Sequence, residues 1–339
     1  MTAYVMPVFA TLLVLLLIFW LAKNIQHFGF AYFLNIAFIG LTIGALYSLI
    51  ALGYTLVYGI LELINFAHGD VFMLGGLFSA TMLLSVFHLK AGASTGTLVV
   101  AILGSLLVAM AACGLLNAAI ERVAYRPLRG APRLAPLITA IGMSFILEDV
   151  AIGWKGPNYT AVPDVLPRSN VFAVHGVAYE WEKLIVALIT VPVLVALVWF
   201  VRKTRQGKAM RATAQDRDAA AMMGIDVNRT ISITFLIAGA LAGAGGLVFA
   251  LYRGGEIRYD TGYQLGLIAF TSAVLGGIGN LPGAVLGALV IGFIQAFNEG
   301  LQWHAPGSDW TESIVFGILI LILVFRPEGL LGERTPEGG

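Results

Sequence analysis

Charge is what this sequence has least of. Its 339 residues hold 20 Lys and Arg against 19 Asp and Glu, 12% in all, about half the share a soluble domain carries. A net charge of +1 gives no basic field of the kind that attracts nucleic acid, so no nucleic-acid partner is expected. The single cysteine, Cys113, has nothing to pair with inside the chain. Its place within an apolar run makes it a small packing residue. Catalytic signatures are missing too. There is no HExxH helix and no G-x-S-x-G elbow, and His27, His68, His88, His175 and His304 are scattered, so no zinc or nucleophile site is expected. The glycine-rich "GGIGNLPGAVLG" lacks the lysine of a P-loop. We therefore expect no catalytic residue, no metal and no cofactor bound by this chain. Any ATP it depends on would be used by partner subunits.

What is present is apolar. Hydrophobic residues make up 59% and mean hydropathy is +0.88. "MPVFATLLVLLLIFWLA" (Met6–Ala22), "TLVVAILGSLLVAMAACGLL" (Thr97–Leu116) and "LIVALITVPVLVALVWFV" (Leu184–Val201) each approach the ~20 residues that cross a bilayer as a helix. They lack strand alternation, and lipid leaves no partner for an unpaired backbone, so the spans are helices. The expected fold is an all-α polytopic membrane protein: a bundle of about ten transmembrane helices with a re-entrant or broken segment near 62–76, in one transmembrane domain over 1–339. Spans fall near 6–22, 32–60, 66–87, 97–120, 134–154, 184–201, 230–252, 263–279, 283–300 and 313–325. The first lacks a basic n-region and a small-x-small cleavage site, and reads as a retained span.

Orientation follows from basic residues in short loops. Arg122, Arg126, Arg129 and Arg133 lie in one loop. Arg202, Lys203, Arg205, Lys208, Arg211, Arg217 and Arg229 lie in another, two spans later. Both belong in the cytoplasm, which puts 155–183 outside and both termini inside. Lys23 pulls the other way and leaves the parity upstream of residue 97 weakly specified. Gly239 and Gly243, and Gly279, Gly283 and Gly287, repeat at four-residue spacing, as close helix packing requires.

Two segments carry polar chemistry. In "LINFAHGDVFMLGG" (Leu63–Gly76), Asn65, His68 and Asp70 follow Glu62 within a long apolar stretch. Intramembrane polar groups are costly unless paired or hydrated, and broken helices in transporters expose backbone dipoles that suit a zwitterionic solute. Glu62, Asn65, His68 and Asp70 are thus candidates for a pathway or gate. In the structural alternative, Asn65 and Asp70 cap helix ends and His68 packs on a neighbour. Glu148 and Asp149, with Asn298 and Glu299, read as groups near the outer interface. The second segment, 202–229, has good helix formers from Ala209 to Met223, with Gly224 placed to stop the helix. Lys208, Arg211 and Asp218 form a charged side, while Ala219, Ala220, Met222 and Met223 offer apolar surface. This fits either a short helix docking on a partner or a solvated basic loop.

"KAMRATAQDRDAAAMMGIDVNRTISITFLIAGALAGAGGLVFA" resembles the cytoplasmic coupling region and following span of bacterial ABC importer permeases for branched-chain amino acids. "GALYSLIALGYTLVYGILELINFAHGDVFMLGG" resembles the N-terminal signature of that family. "AFTSAVLGGIGNLPGAVLGALVIGFIQA" and "FRPEGLLG" resemble its C-terminal pieces. The four motifs run in order from about Asn35 to Gly332, and "LVYGILELINFAHGD" is similar to the H-type member. The resemblance implies alternating access in the bacterial inner membrane, beside an M-type permease, two cytoplasmic ATPases and a periplasmic binding protein. It assigns Arg211, Asp218, Ala219, Ala220, Met222, Met223 and Gly224 to the ATPase-coupling helix. Urea and short-amide permeases are the nearest competing resemblance. An ion-coupled transporter or channel is the competitor of another class, and it would show paired buried carboxylates and internal repeats. Two features depart from the family pattern: the apolar leader Met1–His27, and Ile268 in "GLIAF", where relatives often carry lysine.

Overall fold

The computed structural model describes residues 2–332 other than 63, 91, 133, 161, 163, 164, 168 and 253–255, with side chains from residue 15 onward. Arg133 and the side chains in the first half of the 6–22 run lie outside the described residues. Each expected apolar run is a helix: α1 Thr2–Phe28, α2 Phe30–Leu61, α3 Ala67–Thr81, α4 Thr95–Ile120, α5 Leu134–Lys155, α6 Trp181–Lys203, then α9 Val227–Leu251, α10 Thr261–Gly276, α11 Leu281–Gly300 and α12 Thr311–Phe325. Between α6 and α9 stand two short helices, α7 Arg205–Gln215 and α8 Arg217–Met222. Among the described residues, eight helices counted with their terminal turns are long and apolar enough to cross a membrane. The protein is an all-α polytopic membrane protein. α10 departs from the expected full span: its 16 residues fall short of the ~20 a crossing needs.

Short polar side chains start the helices. Ser94 caps α4, Thr204 caps α7, Asp226 caps α9 and Asn280 caps α11, each accepting a first-turn N–H. The 155–183 stretch is less irregular than its sequence suggests. It contains a hairpin, β1 Asn170–Val174 with β2 Val177–Glu180, turned at His175 (φ 50°) and Gly176 (φ 81°). Two successive positive φ values are what a two-residue hairpin turn demands.

Contacts between loops settle which helix ends share a face. Arg217 Nη2, at the start of α8, donates to Ile60 O at the end of α2 at 2.7 Å. The C-terminal end of α2 therefore lies on the α7–α8 side, which the basic loops mark as cytoplasmic. At the other face, Trp20 Nε1 donates to Trp303 O at 2.8 Å, and Thr160 pairs with Ile257. The α1–α2 turn therefore lies at the opposite end of the bundle from the α7–α8 pair.

Small residues let the helices touch backbone to backbone. A Cβ on Gly243 would stand 2.3 Å from Ala109 O, and one on Gly292 2.4 Å from Gly44 N. The first close approach joins α9 to α4, the second α11 to α2. These are two of the bundle's most extensive packings, and they are related: exchanging α2–α5 for α9–α12 turns one into the other. The exchange also maps α3 on α9 to α10 on α2, and α3 on α5 to α10 on α12, while the α3–α10 crossing maps to itself. α2 and α9 are an odd number of crossings apart, so the two units form an inverted repeat. In sequence only the glycine-rich phrases near 40–76 and 239–292 hint at that repeat, and its presence removes internal repetition as a mark of the ion-coupled class.

The described part of α1 is anchored on Trp303, by Trp20 and by a buried amide. Buried Asn24 accepts from Trp303 N at 3.1 Å and donates back to Trp303 O at 3.3 Å, and the His27 ring stacks on the Trp303 ring at 5.9 Å. Asn24→Ala removes both hydrogen bonds to Trp303, of about 1 kcal/mol each, and a third to Trp20 O. It is expected to raise hydrogen exchange in residues 15–28 while α2–α12 stay protected.

Candidate functional site

The polar break is built where two part-length helices cross. Glu62 adopts a left-handed conformation (φ 53°) and ends α2. The chain turns back and α3 begins at Ala67. Neither Asn65 nor Asp70 caps it, since Phe66 is the N-cap residue and no side chain bonds there. That corrects the capping alternative. Buried Asn65 instead reaches sideways: its Oδ1 accepts from Tyr125 OH at 2.6 Å and its Nδ2 approaches Asn117 Oδ1 at 3.5 Å. Asn117 Nδ2 in turn donates to Phe235 O at 2.7 Å, so the connector is tied to α4 and through it to α9.

His68 is fully buried, with its ring edge-on to Tyr54 at 4.8 Å. It packs into the gap left by Gly53, whose Cβ would stand 2.1 Å from His68 Nε2. This is the neighbour-packing role.

Asp70 is fully buried in the first turn of α3. Its Oδ2 accepts from Ser144 Oγ of α5. Its Oδ1 has no hydrogen-bond partner and lies against the first turn of α10, where a Cβ on Gly262 would be 2.6 Å away. Thr261 N–H and Gln264 N–H go to the Arg258 and Asp260 carbonyls, and the carboxylate sits beside the residue between them. The carboxylate is thus held at two helix N-termini, each of which favours negative charge. Glu148, one turn beyond Ser144, is half-buried and within electrostatic reach of Asp70 and Asp260. Asp149 is exposed, as are Tyr263 and Gln264. Ile268, where the family resemblance leads us to expect lysine, is buried inside α10.

Asn298 and Glu299 serve the outer loop: Asn298 Nδ2 donates to Gly307 O at 2.7 Å, and Thr311 Oγ1 donates to Glu299 Oε1 at 3.0 Å. Farther out, Arg258 pairs with Asp260 and faces the Tyr159 ring. The Asp260 hydrogen bonds raise its pKa above the ordinary guanidinium value.

In the 202–229 segment the expected single helix over 209–223 is two. Asp216 is extended (φ −156°), which breaks the helix, and its Oδ1 accepts from Asp218 N and Ala219 N at 2.9 Å to start α8. An aspartate whose one oxygen takes both N–H groups is a better cap than helix interior, and that is why the run divides here. Gly224 stops α8 at φ 80° as expected. Met222 and Met223 are 82% and 83% exposed, whereas Ala220 is buried against the bundle and Ala219 half-buried. Of the apolar residues grouped from sequence, only the methionines stand clear of the protein. Arg211 turns back to bond Val201 O, and Asp218 is exposed.

Sequence reasoning missed a buried lock beside this region. Glu121, fully buried, accepts from Arg129 and, at 2.5 Å, from Ser232 Oγ, joining the inner ends of α4 and α9. Partial burial lowers the Arg129 pKa, with neighbouring Arg126 and Arg217 adding to the fall and Glu121 opposing it. Among the described residues no three His, Cys, Asp or Glu side chains are grouped to hold a metal ion.

Comparison with known proteins places these features in context. A family model described as branched-chain amino acid transport system, permease component, matches residues 36–324. The high-affinity branched-chain amino acid transport system permease protein BraD of Pseudomonas aeruginosa is 40% identical over 303 residues, 88% of this chain and 95% of the relative. The corresponding LivH of Escherichia coli K12 is 37% identical over 316 residues, covering 91% and 98%. A more distant match is the autoinducer 2 import system permease protein LsrC of Klebsiella pneumoniae, 30% identical over 198 residues and about half of each chain (56% and 55%).

Proposed function

Because the chain belongs to the branched-chain amino acid permease family, we propose that it moves these amino acids by alternating access, driven by ATPase subunits bound at α7–α8. It is the H-type permease subunit of an ABC importer and is not itself an enzyme. In this reading the whole chain is one permease domain in a bacterial inner membrane, surrounded by lipid. Its partners are an M-type permease, two cytoplasmic ATPases and a periplasmic binding protein. ATP is bound and hydrolysed by the ATPases, and this chain carries no cofactor and meets no nucleic acid.

The observation that carries the mechanism is the bond from Arg217 to Ile60 O. It ties the cytosolic helix pair to the inner end of α2, and from there the chain runs through Glu62 and Asn65 into α3. A push on α8 is transmitted to the Asn65–Tyr125–Asn117 lock and to the crossing where Asp70 sits. ATP-driven closure of the partners supplies the differential free energy that shifts the two states. Asp149, Tyr263 and Gln264, exposed on outward faces, support a polar path beside α5 and α10, shared with the second permease, since such groups are costly against lipid.

Met222→Glu with Met223→Glu is expected to strip the ATPase subunits from the purified complex, read by affinity capture. Retention of both ATPases would sink the docking assignment. Labelled leucine should enter cells expressing the complex and labelled urea should not, and the reverse result would transfer the chain to the amide class.

A further inference from the structure

α6 shows where the bilayer begins and ends along its length. Trp181, Leu188, Val191, Val195 and Trp199 are all exposed, and their spacing puts them on one helix face, the lipid-facing stripe. Tryptophan concentrates at both membrane interfaces. Trp181 and Trp199 stand about 27 Å apart along the helix axis, close to the ~30 Å of a hydrocarbon core. Exposed Arg202 and Lys203 follow just beyond Trp199. Trp181 therefore marks the interface at the other end of α6, and β2 ends at Glu180, the residue before it.

The β1–β2 hairpin must lie at that level, and its side chains suit it. From Ser169 to Tyr179 the sequence holds no Asp, Glu, Lys or Arg. All five residues of β1 are exposed, Phe172 to 44% and Val174 to 56%. These two share one face of the strand, which Tyr179 and Val177 continue across the pairing. The Phe172 ring stacks on Tyr179 at 5.7 Å, and Tyr179 meets Phe38 of α2 edge-on at 5.1 Å. Asn35 of α2 pins the turn, its Nδ2 donating to Gly176 O at 3.0 Å and its Oδ1 accepting from Ala178 N at 2.9 Å. Asn35 lies about 7.5 Å inside α2, which begins at Phe30. The hairpin is thus folded back along the helix instead of projecting past its end.

Three environments can be weighed for this face. In water, an uncharged apolar edge strand is an aggregation hazard that proteins blunt with charge. In the hydrocarbon core, the free edge of β1, which has no second strand beside it among the described residues, would leave its backbone groups unsatisfied. The headgroup layer meets both needs, with water and esters for the backbone and the upper acyl chains for Phe172 and Val174. A soluble partner is oriented by charge and a polar rim, and this stretch offers no charge.

We propose that the β1–β2 hairpin is a membrane anchor, lying in the lipid interface at the Trp181 end of α6 with Phe172 and Val174 seated in that leaflet. Its occupant is membrane lipid, and its surface is continuous with the lipid-facing stripe of α6. Through Asn35 it holds the end of α2 opposite Ile60. The inference is independent of which solute passes.

The test uses the whole permease complex in liposomes doped with a phospholipid that carries a diazirine near the glycerol end of one acyl chain. After illumination and proteolysis, mass spectrometry should find lipid adducts on residues 171–174 as well as on Trp181 and Leu188. Saturating binding protein should leave both sets unchanged. Phe172→Asp with Val174→Asp should lose the hairpin adducts and keep those on α6, which also report that the variant has folded. If that variant fails to assemble, the unsubstituted chain decides alone.

Adducts on α6 with none on 171–174 overturn the proposal. Hydroxyl-radical oxidation of Phe172 then identifies the true neighbour. Oxidation that binding protein suppresses assigns the face to that protein, and no oxidation at all assigns it to the second permease. Hairpin adducts that survive the double substitution also overturn it, since they would come from lipid passing nearby and not from seated side chains.

Discussion

Gly69→Ala is expected to leave almost no folded, transport-competent protein. A Cβ at Gly69 would stand 2.2 Å from Gly262 O and 3.0 Å from Gly266 Cα. Both obstacles are main-chain atoms of α10, so no rotamer change relieves the clash. Overpacking costs about 1–3 kcal/mol where side chains can give way, and here the cost lies at the upper end or beyond it. Gly262→Ala meets the same crossing from the other side, 2.6 Å from Asp70 Oδ1 and 2.7 Å from Asp70 Cα. Both variants should show a collapsed thermal midpoint in detergent and background leucine uptake. Gly59→Ala is the control. It lies in α2 with its nearest neighbour, Gly279 Cα, at an ordinary 3.6 Å, and the change favours the helix by up to about 1 kcal/mol. If Gly69→Ala matched Gly59→Ala in midpoint and uptake, the close crossing of α3 and α10 would be wrong.

Much of the bundle was legible because lipid simplifies the problem. A run such as Leu184–Val201 can only be a helix, and residues such as Ser94 and Asp226 announce helix starts through their acceptor oxygens. The break at Asp216 was readable by the same logic, but helix propensity over 209–223 masked it. What sequence could not disclose depends on distant partners. Asp70 and Ser144 are 74 residues apart, Glu121 and Ser232 are 111 apart, and neither residue of either pair advertises the other. Glu121 looked like one more charge in a basic loop, yet it is buried. The inverted repeat escaped because it is carried by which helices touch, and helices of Ala, Gly and Leu satisfy that packing with many different sequences.

Asp70→Asn separates the two roles open to this carboxylate. The amide keeps the shape and still meets Ser144, but it removes the negative charge set against the first turns of α3 and α10. Charge at a helix N-terminus contributes about 0.3–1 kcal/mol, and up to about 2 kcal/mol where partly buried. Two termini share this one, so a loss of about 1–2 kcal/mol in stability is expected, together with a clear fall in leucine uptake rate. Asp70→Ala should cost more, because it also leaves the Ser144 hydroxyl unbonded in a buried site. Ser144→Ala should cost less than either, since the carboxylate keeps its place at both helix ends. A solute contact would behave differently. Asp70→Asn would then leave the thermal midpoint unchanged and raise the concentration of loaded binding protein needed for half-maximal uptake. Full burial of Asp70, with one oxygen on Ser144 and the other against Gly262, favours the first outcome. On that account Asp70 serves the protein's own crossing of α3, α5 and α10, and the amino acid passes without touching it.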